Sequence, residues 1–288
     1  MNRTPPSVKS ADEAVGAHPV RLALVADIHY GQFSEAKAGP EALRLLEGVI
    51  DEVNSVSPDL VVDLGDRINE ECLDRDAALF RKVSERFQKL RVPWRFLPGN
   101  HDLVHLSVAE CETVLGQPLS HHSMDLRGCH LVFWHADPRQ RPAGRAVERG
   151  DLDWLEADLR STDLPAIIFT HIPFGGASVV GNYYFGHNPP GGAEYRNASG
   201  IRDVLGCTES AVLAIAGHVH WNTLTTIDGI RYVTIQSLTE TFTTHPHPAG
   251  AWALLEMTPE GFHLEIKGRD RAIFSLPFKQ RGHHWLTR

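Results

Sequence analysis

The stretch Leu213 to Trp221, "LAIAGHVHW", is an apolar run that breaks at a glycine and then presents two histidines with one residue between them. Short, continuously apolar runs of this kind read as strands buried on both faces. His218 and His220 therefore stand side by side at the carboxyl end of a strand, as paired metal ligands would. Five further runs share the texture: LALVA (22–26), LVVDL (60–64), WRFLP (94–98), HLVFWH (130–135) and AIIFT (166–170).

Helical spacing separates several of them. PEALRLLEGVIDEVNSV places Leu43, Leu46, Val49, Ile50 and Val53 at three- and four-residue steps, DAALFRKVSERFQKL repeats the pattern, and DLDWLEADLR precedes AIIFT. Strands alternating with helices predict an α/β fold whose sheet is covered by crossover helices. After His220 the helical pattern stops, and NTLTTID, IRYVTIQSL, AWALLEM and FHLEIKG predict two hairpins, the second marked by the turn "TPEG". Residues 173–200 carry no clear periodicity, and a loop of that length predicts a functional segment or a lid.

Composition narrows the function. A formal charge of −8 argues against a nucleic-acid polymer or an anionic membrane as partner. The four cysteines, Cys72, Cys111, Cys129 and Cys207, are far apart and form no C-x-x-C pair, which predicts a reduced, cytoplasmic setting. No apolar stretch is long enough to span a bilayer. The proline- and polar-rich residues 1–19 predict a loose arm, leaving 20–288 as one domain; oligomeric state is not readable.

The residues directly after the strands carry the chemistry. LALVA leads to Asp27-Ile28-His29, LVVDL to Gly65-Asp66, WRFLP to Gly99-Asn100-His101-Asp102, AIIFT to His171, and AVLAIA to Gly217-His218-Val219-His220. In α/β sheets ligands bind at the carboxyl ends of strands, so these residues are expected to converge. Each alone has a plainer reading, as a turn, a helix cap or a structural histidine. The five together do not.

In this order "DIH", "GD", "GNHD", "H" and "GHVH" resemble the motifs of the calcineurin-like metallophosphoesterase superfamily, over residues 22 to about 235. The resemblance implies a four-layer α/β/β/α sandwich with two mixed sheets. It also implies two divalent metal ions about 3 to 4 Å apart. Carried over by position, Asp27, His29, Asp66 and His220 would hold one ion and Asp66, Asn100, His171 and His218 the other, with Asp66 shared. Oxygen and imidazole donors suit Mn, Fe or Zn. The implied activity is hydrolysis of small phosphodiesters by a metal-bound hydroxide, with weaker action on monoesters. His101 would stabilise the transition state or protonate the leaving group.

Several assignments stay open in the sequence. Asp102 reads either as an orienter of His101 or as a turn residue. Arg67 reads as a contact to substrate phosphate or as a surface ion pair. Tyr183, Tyr184 and His187 would stack on a base or reach a leaving group, or else pack their loop onto the body. After Gly65-Asp66 the chain reads RINEE rather than the x-x-D-R-G of protein serine/threonine phosphatases, and is more similar to the class III cyclic-nucleotide phosphodiesterase-like branch. "RYVTIQSLTETF", "GAWALLEM" and "KGRDR" also resemble the C-terminal part of ADP-ribose/CDP-alcohol diphosphatases, so a nucleotide diphosphate is the second substrate expectation. A non-catalytic scaffold of the same fold is disfavoured, because such scaffolds lose ligand positions that are filled here.

Overall fold

A computed structural model describes residues 19–186 and 192–278. The expected arm at 1–19 lies outside them except for Pro19, and so does His187. Two six-stranded sheets face each other. In the first, β1 (Val20–Val25), β2 (Leu60–Asp63) and β3 (Trp94–Phe96) run parallel. Two further strands from the C-terminal part, β10 (Trp252–Thr258) and β11 (Gly261–Lys267), continue that sheet antiparallel beside β1, and β12 (Ala272–Pro277) closes its edge.

The second sheet has β5 (Cys129–Phe133), β6 (Ala166–Phe169), β7 (Ala211–Ala216) and β9 (Ile230–Thr234) in parallel. Antiparallel β4 (His122–Leu126) and β8 (Thr223–Ile227) form its two edges. Both sheets are mixed, as expected. The helices α1 (Ala42–Val56) and α2 (Leu73–Phe87) cover the first sheet, with α3 (Val108–Leu115) beside α2; α4 (Arg149–Arg160) and α5 (Ala198–Gly206) cover the second.

Side-chain alternation builds the layers. Leu22 and Leu24 of β1 and Leu60 and Val62 of β2 enter the core between the sheets, where they meet Leu131, Phe133, Ile167, Phe169, Leu213 and Ile215. Ala23, Val25 and Val61 point the other way, onto Leu46, Val49, Ile50 and Val53 of α1. The central strands are thus apolar on both faces, which is why they read as unbroken runs. Burying each such side chain contributes roughly 1.5–3 kcal/mol.

Four elements fall outside the sequence expectation. Strands β4 and β12 are half-buried sheet edges with polar residues in them, so they carry little apolar signal. Helix α3 is short and is set by its ends, a Ser107–Glu110 capping box and a left-handed Gly116. Helix α5 lies at the end of the long aperiodic stretch, the rest of which forms no helix or strand among the described residues. All four cysteines are free, and no helix among the described residues is long and apolar enough to cross a membrane.

Candidate metal centre

The parallel strands of both sheets end on one edge of the sandwich, and the loops that leave them cross there. Past β1 the chain stays hydrogen-bonded to the chain past β2, through Asp27 N–H to Gly65 O, His29 N–H to Asp66 O and Tyr30 N–H to Arg67 O, each 2.9 Å. From the opposite sheet, Gly217 N–H donates to His171 O at 3.1 Å, and His218 N–H donates to the Asp27 carboxylate at 3.0 Å.

The local backbone is costly. Asp27, His29, Asp66, His218 and His220 all have positive φ, between 47° and 68°, a region that non-glycine residues seldom occupy. Such conformations persist where surrounding structure over-determines them, and they gather at functional sites. Two motif glycines permit the close approach. A Cβ on Gly99 would lie 2.1 Å from Asp66 Oδ1, and one on Gly217 would lie 2.7 Å from Asp27 Oδ2.

Two groups of side chains result, each able to hold a metal ion: Asp27, His29, Asp66 and His220, and Asp66, His171 and His218. Within each group the candidate ligand atoms lie within 4.8 Å of one another, and Asp66 belongs to both. Asn100 joins the second, its Oδ1 3.3 Å from His171 Nε2. Asp66 Oδ2 is buried without a hydrogen bond, 3.2 Å from His171 Nε2 and 3.8 Å from His29 Nε2. A buried carboxylate oxygen left in this way is costly unless a cation satisfies it.

Outer partners set the imidazole tautomers. His171 Nδ1 donates to Leu64 O at 2.7 Å, which turns Nε2 toward Asp66 and makes it the nitrogen a metal would take in exchange for a proton. His220 Nδ1 faces Glu240 Oε2 at 3.0 Å, and His218 Nε2 donates to Gly192 O at 2.9 Å. Ligand histidines are usually held by a carboxylate or carbonyl on the far nitrogen in this manner. The donor set, three carboxylate or amide side chains and four imidazoles without a thiolate, fits borderline divalent ions.

Electrostatics agree with a cation-seeking site. Burial opposes the charge of Asp66, yet His171 and His101 outweigh it and hold the carboxyl well below its ordinary value. Burial also works against protonation of His171 and His220. The Asp66 carboxylate in one case and Asp27 in the other reverse this, raising each to about 9. Burial, followed by the charge of Lys37, keeps His29 well below its usual value.

His101 sits at the cleft beside this group, its Nε2 3.9 Å from Asp66 Oδ2 and its backbone N–H bonded to Asp66 Oδ1 at 2.8 Å. Its Nδ1 is hydrogen-bonded to Glu70. Glu70 is therefore the carboxylate that orients His101, and the expectation for Asp102 is corrected. Asp102 is fully buried and accepts from the backbone N–H groups of Asp66, Arg67, Ile68 and Gly99, which fastens the two loops together.

Arg67 is likewise corrected. It points away from the cleft, fully buried, with its Nε 2.6 Å from Asp63 Oδ2, Nη1 on Ser84 Oγ, and its guanidinium among Phe80, Phe87, Trp94 and Phe96. No phosphate can reach it there. Tyr183 and Tyr184 both line the cleft, with the Tyr183 hydroxyl donating to Glu240 Oε2 at 3.2 Å. Sequence reasoning missed Glu70, Glu240, Lys37 and Arg145. Glu70 had a signal, an acidic residue four positions after the Asp of Gly-Asp; the others had none beyond lying near a motif.

The cleft beside the two groups has a volume of about 1180 Å³ and is lined by His101, His218 and His220 and by the aromatic rings of Phe33, Tyr184 and Phe185. A family model described as calcineurin-like phosphoesterase matches residues 20–222. No curated protein sequence matches the chain. Among solved structures it is similar to a dimetal phosphatase from Danio rerio, with 17% identity, a TM-score of 0.74, and 91% of this chain and 100% of that one covered. It is also similar to purple acid phosphatase PPD1 from yellow lupin, at 12% identity and a TM-score of 0.62, covering 91% of this chain and 53% of that one. A third is GAP50, the anchor in the inner membrane complex of Plasmodium, at 12% identity and a TM-score of 0.60, covering 92% and 91%. At these identities the likeness concerns the fold.

Proposed function

This chain belongs to the calcineurin-like phosphoesterase family, and we propose that it hydrolyses small phosphodiesters with two divalent ions, acting less well on monoesters. The observation that supports this reading most is Asp66. One buried carboxylate is shared by two ligand groups, keeps an oxygen that accepts no hydrogen bond, and lies 3.9 Å from Nε2 of the cleft residue His101.

Asp27, His29, Asp66 and His220 would hold one ion and Asp66, Asn100, His171 and His218 the other. When bound, the pair supplies Lewis-acid charge to phosphate oxygens and lowers the pKa of water. The chain's own residues do the rest. His101, held by Glu70, presents Nε2 toward the cleft, where it would donate a hydrogen bond to a phosphate oxygen or pass its proton to the departing oxygen. Glu240 and the Leu64 carbonyl keep His220 and His171 in the tautomer that offers Nε2 inward.

A second reading, a nucleotide diphosphate as substrate, is favoured by one observation. The cleft is much larger than a phosphate needs and has aromatic rings on its wall, as a base would require. The test is to chelate the protein, reload it separately with Mn(II), Zn(II) and Mg(II), and assay bis(p-nitrophenyl) phosphate, p-nitrophenyl phosphate, a cyclic nucleotide and ADP-ribose. Metal-restored cleavage of the diester supports the first reading. A strong preference for ADP-ribose selects the second, and no cleavage with both ions bound removes both.

A further inference from the structure

The metal groups and His101 do not account for two cations that the cleft buries. Lys37 is only 6% exposed and lines the cleft together with Glu70, His101 and His220. Its backbone is fixed by reciprocal hydrogen bonds with Ser34 and by a bridge to Glu240, between Ala38 N–H to Thr239 O and Thr241 N–H to Ala36 O. The backbone that carries the ammonium is therefore set by the fold, and little of the side chain is exposed.

No carboxylate among the described residues pairs with it. Glu70 is bonded to His101. Glu240 accepts from Tyr183 and from the N–H groups of Thr241 and Phe242, and faces His220. Arg145, 7% exposed, lines the cleft on the His218 side, with Nη1 3.4 Å from His218 Nε2. Its guanidinium otherwise donates to carbonyl oxygens, of Pro138 at 2.8 Å and of Gly192, and to no carboxylate among the described residues.

Cations held at such low exposure in a fold are ordinarily ion-paired, as Arg67 is with Asp63, whereas Lys37 and Arg145 turn toward the cleft with no carboxylate at ion-pair distance among the described residues. Two exceptions in one cleft, one beside each ligand group, imply that the missing anion arrives from outside. On the reading that the site binds phosphoesters, we propose that Lys37 and Arg145 are substrate-contacting residues that hold anionic phosphoryl oxygens from opposite sides of the metal centre. Lysine supplies a point charge and arginine a fork of donors for the same chemistry.

The test is direct titration of inorganic phosphate into Mn(II)-loaded protein at fixed ionic strength, with metal content measured on the same samples. Lys37→Met and Arg145→Gln are each expected to retain both ions and to bind phosphate at least ten-fold more weakly, and Lys37→Arg to recover part of the loss. Lys82→Met, which removes an exposed charge on α2, is expected to leave binding unchanged. Phosphate affinity within two-fold of the parent in either cleft variant would overturn the two-sided arrangement, as would a parent protein that binds no phosphate. If the parent binds phosphate through these residues yet cleaves no ester, the hydrolase reading fails while this one stands.

Discussion

His29 Nε2 and His220 Nε2 face each other at 2.9 Å, one imidazole carried by the loop after β1 and the other by the loop after β7. The far nitrogen of His220 is engaged by Glu240, and that of His29 is buried without a partner. Two ring nitrogens converging beside Asp27 and Asp66 are better satisfied by an ion than by each other. Removing metal with a chelator is therefore expected to lower Tm, and Mn(II) to restore it. At a metal concentration 100 times Kd the gain is about 2.7 kcal/mol per ion, or roughly 4–5 °C per ion for a chain of this size. Equal melting curves with and without metal would contradict the centre.

Asp66→Asn keeps the shape of the shared side chain and removes its charge. Metal content is expected to fall from two ions to fewer than one, and diesterase activity by more than about 10³-fold, because both ion positions lose a ligand at once. Elemental analysis alongside the assay decides it. A variant retaining two ions would show that Asp66 is not the shared ligand.

His101→Ala separates chemistry from metal retention. Both ions are expected to stay and kcat to fall by about 10²–10⁴-fold, the range for loss of a general acid or base. Glu70→Gln, which keeps a hydrogen bond to Nδ1 and loses the charge, is expected to fall by less and to shift the pH profile of kcat. If Glu70→Gln behaved as the parent across pH, the orienting role would be refuted.

Arg67→Ala probes the corrected assignment. It leaves Asp63 buried without its partner, for an expected loss of about 3–5 kcal/mol. The folded fraction should keep the parent KM, because the guanidinium lies among aromatic rings away from the cleft. A raised KM at unchanged stability would restore Arg67 to the substrate site.

His130 offers a pH test away from the cleft. Its Nδ1 lies 2.6 Å from Asp125 Oδ1 and its Nε2 3.0 Å from Asp158 Oδ2. The hydrogen bond to Asp158 leads in raising its pKa, against partial burial. A histidine raised in the folded state contributes stability that is fully present below its unfolded pKa, about 6.5, and is lost as pH rises through the folded value. His130→Gln should therefore destabilise the protein more at pH 5.5 than at pH 9 in urea unfolding. An equal or reversed effect would contradict the pairing.

The sequence made the central strands, three of the helices and the residues that converge at the strand ends legible for one reason. Strands buried on both faces write continuous apolar runs, and the side chains the site needs come directly after each run. Edge strands β4 and β12 were not legible, since a half-buried edge mixes polar and apolar residues. Arg67 and Asp102 stayed open between two readings because adjacency to a motif does not reveal which way a side chain points. Arg67 turns back into an aromatic cage, and Asp102 binds backbone across two loops that are 35 residues apart in sequence. Lys37 and Glu240 meet the centre only through contacts between loops, which no local pattern encodes.

The candidate ligands do not all belong to one sheet. Asp27, His29, Asp66 and Asn100 follow strands of the first, whereas His171, His218 and His220 follow strands of the second, and each ligand group draws on both. A pair of ions bound here would act as a clasp between two halves that otherwise meet mainly through apolar contact and a few hydrogen bonds at this edge, and apolar contact resists separation well and sliding poorly. Sliding of one half over the other would change the spacing of the ligands directly. Packing substitutions deep between the sheets, at Phe133 or Phe169 for instance, would then be felt as changes in metal affinity, far from any residue that touches the ions.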